Sequence, residues 1–161
     1  MIIITTQCFY PNIGGIEALM TGMAAAMYKS GKDILVVADG KKDEDEKIKT
    51  YNIKRFNGWK PIRRIKKAEY ISQLCKTNNI EAIYADSWKS VEYLKNFNIP
   101  IFVLAHGTEI QKNINNLNFY KKIKQKRIFS SYNKSKKILA NSSYTKELIK
   151  ESLKIDTNKI N

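Results

Sequence analysis

Apolar positions along the chain switch repeatedly between a run-like and a helical spacing, and that switching predicts an order of elements. Residues 2–6 form a short β-branched run that breaks at Pro11-Asn12-Ile13-Gly14-Gly15, the pattern of a strand followed by a turn-rich loop. Ile16, Leu19, Met20, Met23, Ala24 and Met27 then recur at helical spacing, and Gly31 stands where a left-handed residue would close the helix. Residues 34–38 return to an unbroken apolar run, as expected of a strand covered on both faces. One strand-helix-strand unit is thus complete before Gly40.

The same reading continues to the end of the chain. Residues 41–49 are charged and read as an exposed loop, and residues 51–56 as a third strand. Ile62, Ile65, Ala68, Ile71 and Leu74 space out as a helix. Residues 82–85, 101–105 and 137–140 are further short apolar strands. Helices are expected near residues 91–97, over 119–133 and over about 144–153, the last capped by Ser142 or Ser143. Strands that alternate with helices need crossover connections, so the sheet is expected to be parallel. The predicted fold is α/β: a Rossmann-like doubly wound parallel sheet of about six strands with helices on both faces. A chain of 161 residues that is 43% apolar suits a single domain spanning residues 1–161. Ligands of such sheets bind outside the carboxyl ends of the strands, so the chemistry is sought in the loops after them.

Three of those loops stand out. After the first strand, Gly14 and Gly15 precede a helix, a place where the backbone can approach a ligand and free amides favour an anion; simple turn formation is the commoner role of paired glycines. The G-x-G-x-x-G and Walker A patterns are missing, which disfavours a dinucleotide-dependent dehydrogenase and a P-loop phosphotransferase. After the fourth strand, Asp86, Ser87 and Trp88 combine a carboxylate, a hydroxyl and an aromatic ring, a set that suits a polyol; the structural alternative is a helix cap with a packed tryptophan. After the fifth strand comes His106-Gly107-Thr108-Glu109, which holds the only histidine. An imidazole at a strand's carboxyl end, followed by glycine, is placed to touch a ligand over the sheet.

Charge changes this picture little. The net +14 is confined to residues 41–80 (+7) and 111–161 (+10), while residues 1–40 (−1) and 81–110 (−2), which hold the three loops, are near neutral. No aromatic-and-glycine RNA-reading signature accompanies the lysines, so a nucleic-acid partner is not expected. The basic groups Lys60, Arg63, Arg64, Lys66 and Lys67, and Lys121, Lys122, Lys124, Lys126 and Arg127, could hold helices against an anionic membrane surface. Cys8 and Cys75 have neither metal-ligand nor redox spacing and fit a reducing cytoplasm, and one histidine with two distant cysteines makes a zinc site or a cysteine-histidine nucleophile unexpected. The initial apolar run is too short for a membrane span or a signal-peptide core.

Together these motifs resemble the group 1 glycosyltransferases (glycosyltransferase family 4), which have the two-domain GT-B fold. The resemblance rests on Phe9-Tyr10-Pro11 leading to Gly14-Gly15-Ile16-Glu17, on Asp86-Ser87-Trp88, on His106-Gly107-Thr108-Glu109, and on residues 136–148, similar to the family's last strand and helix before the crossover between domains. It implies a retaining, hexosyltransferase-like transfer from a nucleotide-sugar donor, with no cofactor and no obligatory metal. Gly14, Gly15, Glu17 and Gly107 would serve the donor, and His106 would contact the donor sugar near the reacting carbon. Asp86, Ser87, Trp88 and Glu109 would shape the side of a glycan or lipid-linked acceptor. The family's second domain carries most of the nucleotide contacts, and none of it lies within residues 1–161, so this chain alone is expected to be inactive without that domain or a partner chain. A non-catalytic module that binds a glycan or a protein is the competing expectation.

Overall fold

A computed structural model describes residues 1–41, 50–112 and 118–161. Its six strands form one parallel sheet in the order β3-β2-β1-β4-β5-β6. The strands are β1 (Ile2–Thr6), β2 (Ile34–Asp39), β3 (Asn52–Phe56), β4 (Ala82–Ala85), β5 (Ile101–Ala105) and β6 (Lys137–Ala140). The helices are α1 (Gly15–Lys29), α2 (Lys60–Thr77), α3 (Trp88–Val91), α4 (Phe119–Lys134) and α5 (Ser143–Leu153). The chain builds outward from β1 to β3, crosses back through α2, and builds outward again from β4 to β6. The switch in direction falls between β1 and β4, which pair directly with Thr5 beside Ala85.

Alternation within the strands divides the core in two. Ile2 and Ile4 with Val36 and Ala38 pack under Met20 and Ala24 of α1. Ile3, Val37, Ile83 and Val103 face the other way, against Ile71 of α2, Val91 of α3, Ile128 of α4 and Ile149 of α5. Among the described residues, helices therefore cover both faces, one on the first and four on the second. Burying these side chains on both sides is the hydrophobic term that holds a doubly wound sheet together.

Local signals explain the boundaries. Gly31 has φ +81°, and Lys32 donates its amide to the Met27 carbonyl at 3.1 Å, so the glycine ends α1 in the left-handed turn that its position predicts. Ser142 caps α5 by accepting from the Thr145 amide at 3.1 Å. The helix expected near residues 91–97 is instead the single turn α3, which begins earlier. Val91, Leu94 and Phe97 recur every third residue, and Asn96, Asn98 and Pro100 end any helix there. The loop expected over residues 41–49 lies, apart from Lys41, outside the described residues.

Candidate functional site

The loops after β1, β4 and β5 meet at the carboxyl edge of the sheet, next to the switch between β1 and β4. A cleft of about 280 Å³ there is lined by Ile16, Asp86, Ser87, Trp88, Lys89, His106, Thr108, Glu109 and Lys124. Gly14 and Glu17 line a neighbouring depression with Tyr10 and Ile13, and Gly107 lines a third with Asn141 and Thr145. Every predicted site residue except Gly15 thus lies on one of three adjoining hollows, and Gly15 sits between Gly14 and Ile16, which line two of them. The apolar groove between α4 and the end of α5 (about 330 Å³) lies on the flank of the domain, and none of the three loops reaches it.

The β1 loop is pinned from below. Lys67 of α2 is buried; its ammonium pairs with Asp39 Oδ1 at 2.9 Å and donates to the Thr6 carbonyl at 2.7 Å. Arg63 holds the second carboxylate oxygen of Asp39 at 2.8 Å. Arg55 donates to the carbonyls of Asp39 and Tyr10 and lies over the Phe9 ring. A buried ammonium persists only when paired and hydrogen-bonded, and here the pairing fixes where β1 ends. Sequence reading missed this role because Lys67 and Arg63 look like members of a surface cluster. With Arg64 paired to Glu92 at 3.7 Å, only Lys60 and Lys66 of that cluster are exposed.

At the glycine turn the two positions differ. The Glu17 carboxylate lies over Gly14, so that a Cβ there would sit 2.3 Å from Oε2, whereas a Cβ on Gly15 would meet nothing within 4 Å. An acidic group in the first turn suits the helix dipole, and it already occupies part of the space where an anion would rest.

Asp86 and Trp88 are placed at the cleft but turned inward. Asp86 is 2% exposed; its Oδ2 accepts from the Thr6 hydroxyl and the Gln7 amide, and its Oδ1 from the Ser87 and Ser90 hydroxyls. Trp88 is 3% exposed, with the Arg127 guanidinium 5.7 Å from its ring centroid. They build the wall rather than offer a free carboxylate and a free ring, because each is covered by the elements it joins. Lys89, Thr108 and Lys124 are the further polar groups lining the cleft; the sequence reading gave none of them a site role and placed Lys124 in a membrane-facing group.

His106 is held by two contacts, one of them braced by a third residue. Its Nε2 lies 2.8 Å from the Asp86 carbonyl oxygen, and its amide donates to Glu109 Oε1 at 3.2 Å. The same Glu109 oxygen accepts from the Tyr132 hydroxyl at 2.5 Å. Tyr132 is buried in α4, and burial together with the Glu109 carboxylate holds its phenol far above the usual tyrosine range. Gly107 follows with φ +83°.

Cys8, at the start of the loop after β1, has its thiol pushed up to about 11, first by burial and then by the charges of Asp86 and Glu17. It is therefore a protonated packing group at neutral pH. Among the described residues, no three His, Cys, Asp or Glu side chains are grouped to hold a metal ion, and no helix is long and apolar enough to cross a membrane.

The model of the family described as Glycosyltransferase Family 4 matches residues 13–161. The chain belongs to that family. The resemblance drawn from the motifs alone is thereby borne out, and so is the Rossmann-like α/β fold of a GT-B enzyme. No curated protein sequence matches the chain. Among solved structures, it is similar to the wall teichoic acid polymerase TagF in its H444N variant, with a TM-score of 0.61 and 12% identity over all of this chain and 37% of that one. The H548A variant of the same polymerase gives a TM-score of 0.61 and 13% identity over the same shares. At such identity the likeness is one of fold, and the chain spans 37% of the length of those structures.

Proposed function

We propose that this family member forms the acceptor-side half of an enzyme that transfers a sugar, with retention of configuration, from a nucleotide-sugar donor to a glycan or lipid-linked acceptor. The observation that carries the reading is the shared cleft: Ile16, next to the paired glycines, and His106 line one hollow beside the switch point of the sheet. The donor phosphates approach on the Gly15 side of the turn, since a carboxylate and a phosphate cannot share the space over Gly14. His106 and Gly107 face the donor sugar. The acceptor meets Ser87, Thr108, Glu109 and Lys124, against the wall that Asp86 and Trp88 form. This chemistry needs no metal ion.

One half of such a site holds the donor weakly. A helix start contributes about 0.3 to 2 kcal/mol for an anion, whereas even millimolar binding needs about 4 kcal/mol. The family's second domain, on the same chain or supplied by another, completes the site. Nucleotide release from a panel of nucleotide-sugars, measured with residues 1–161 and with a chain extended by the second domain, tests this. Turnover is expected only from the extended chain; turnover by residues 1–161 alone refutes the division of labour, and none from either refutes the transferase reading.

The start of α4 supports an acceptor presented at a membrane. Phe119 and Tyr120 are 73% and 81% exposed, Lys121, Lys122 and Lys126 are exposed beside them, and Lys124 of the same helix lines the cleft. Aromatic rings with interleaved ammonium groups suit an anionic headgroup layer. On this reading the protein works in the cytoplasm, peripheral at the inner face of the membrane.

A further inference from the structure

The contact between His106 and Asp86 involves a main-chain oxygen. A carbonyl oxygen only accepts, so Nε2, 2.8 Å from the Asp86 oxygen, carries the ring proton, and in the neutral imidazole the lone pair is on Nδ1. The side chain of that same residue is locked. Its Oδ2 takes the Gln7 amide at 2.6 Å and lies 2.9 Å from the Thr6 hydroxyl, which shares its proton between this oxygen and the Cys8 carbonyl at 2.7 Å, at the end of β1. Its Oδ1 takes the Ser90 hydroxyl at 2.6 Å and the Ser87 hydroxyl at 3.1 Å, at the start of α3. These groups surround both oxygens of a carboxylate that is only 2% exposed, so it is not open to a ligand.

We infer that Asp86 is a positioning residue that acts through His106. Its carboxylate clamps the turn after β4 to β1 and α3 and so fixes the direction of its own carbonyl. That carbonyl selects the Nε2–H tautomer, and His106 meets the cleft as an acceptor, through Nδ1, for a hydroxyl of the bound substrate. The identity of that hydroxyl rests on the transferase reading; the tautomer does not.

His106 is the only histidine, so long-range proton-nitrogen correlation spectra of the imidazole report a single ring. At a pH where the ring is neutral, the 161-residue chain is expected to show the Nε2–H tautomer alone. Asp86→Asn keeps the carbonyl but sets an amide NH₂ against two of the donors, and the Nδ1–H tautomer is expected to rise to a comparable share. Should that variant fail to fold, Ser90→Ala, which removes one donor, is expected to shift the tautomers the same way by less. In the two-domain protein, Asp86→Asn, which loosens the carbonyl that orients His106, is expected to lower kcat about tenfold or more, with the acceptor KM unchanged. An Nδ1–H ring in the parent chain, a folded variant with an unaltered tautomer, or a raised acceptor KM at unchanged kcat overturns the inference. A protein that releases no nucleotide from any donor defeats the transferase reading and leaves the tautomer result to stand or fall by itself.

Discussion

Gly107 and Thr145 are in such close contact that a Cβ on the glycine would lie 2.6 Å from the Thr145 hydroxyl, and the glycine's φ of +83° independently disfavours any side chain. The loop that carries His106 is therefore seated on the first turn of α5. Gly107→Ala is expected to lower stability by about 1–3 kcal/mol, the usual range for a side chain forced into such a backbone region. Gly15→Ala, with nothing within 4 Å of the new methyl, is expected to leave stability within about 1 kcal/mol. Chemical denaturation of the two variants checks the contrast, and equal losses would contradict it.

Tyr132 braces Glu109 from inside α4. Tyr132→Phe removes the 2.5 Å hydrogen bond to a carboxylate and is expected to cost about 1.5–3 kcal/mol. The same contact sets an alkaline limit. The folded state holds the phenolic proton more tightly than the unfolded chain, so its contribution is present at neutral pH and is lost as pH rises past about 10. Of the nine tyrosines, Tyr132 is expected to ionise only as the protein unfolds, which ultraviolet titration alongside circular dichroism would show. Its ionisation in the folded protein with the other phenols would contradict the packing described.

The thiol of Cys8 makes a chemical prediction. With its proton held up to about 11, it has on the order of a hundredfold less thiolate at neutral pH than an unperturbed cysteine. Alkylation of the native protein is expected to be correspondingly slow and to accelerate on unfolding, as mass spectrometry of the labelled peptide would reveal. Because the folded value is the raised one, the associated stability is present below 9.0 and lost as the pH climbs toward 11. Labelling as fast as a free thiol would contradict the assignment of Cys8 as a packing group.

The exposed start of α4 predicts attachment to vesicles that contain anionic lipid, weakened by salt and by replacing Phe119 and Tyr120 with serine. Co-sedimentation measures it. Equal binding to neutral vesicles, or no loss in the doubly substituted protein, would contradict a membrane-facing helix.

Much of this architecture was legible in the sequence. Runs such as Ile34 to Ala38 and the glycine at position 31 act locally, so apolar spacing alone gave the strand order along the chain and the end of α1. The site was legible only in outline. The Asp86 carboxylate is met by Thr6 and Gln7, 80 and 79 positions away, and nothing near Asp86 announces that its oxygens are filled. Lys67 was hidden for the same reason: its partners Asp39 and Thr6 lie at the ends of β2 and β1, and among its neighbours on α2 it reads as one more surface lysine. Trp88 offered two roles from sequence, and only the packing of Arg127 over its ring selects the buried one. Spacing shows which loops meet; the charge and hydrogen-bond partners across the sheet decide which side chains face the ligand.

The most direct test of the account compares nucleotide release from the preferred nucleotide-sugar by the two-domain protein and by its His106→Ala variant. Loss of one preorganised polar group at the reacting centre predicts a fall of about a hundredfold or more in kcat, with the variant still folded. Equal rates in the two proteins would contradict a sugar-transfer site in the cleft that His106 lines.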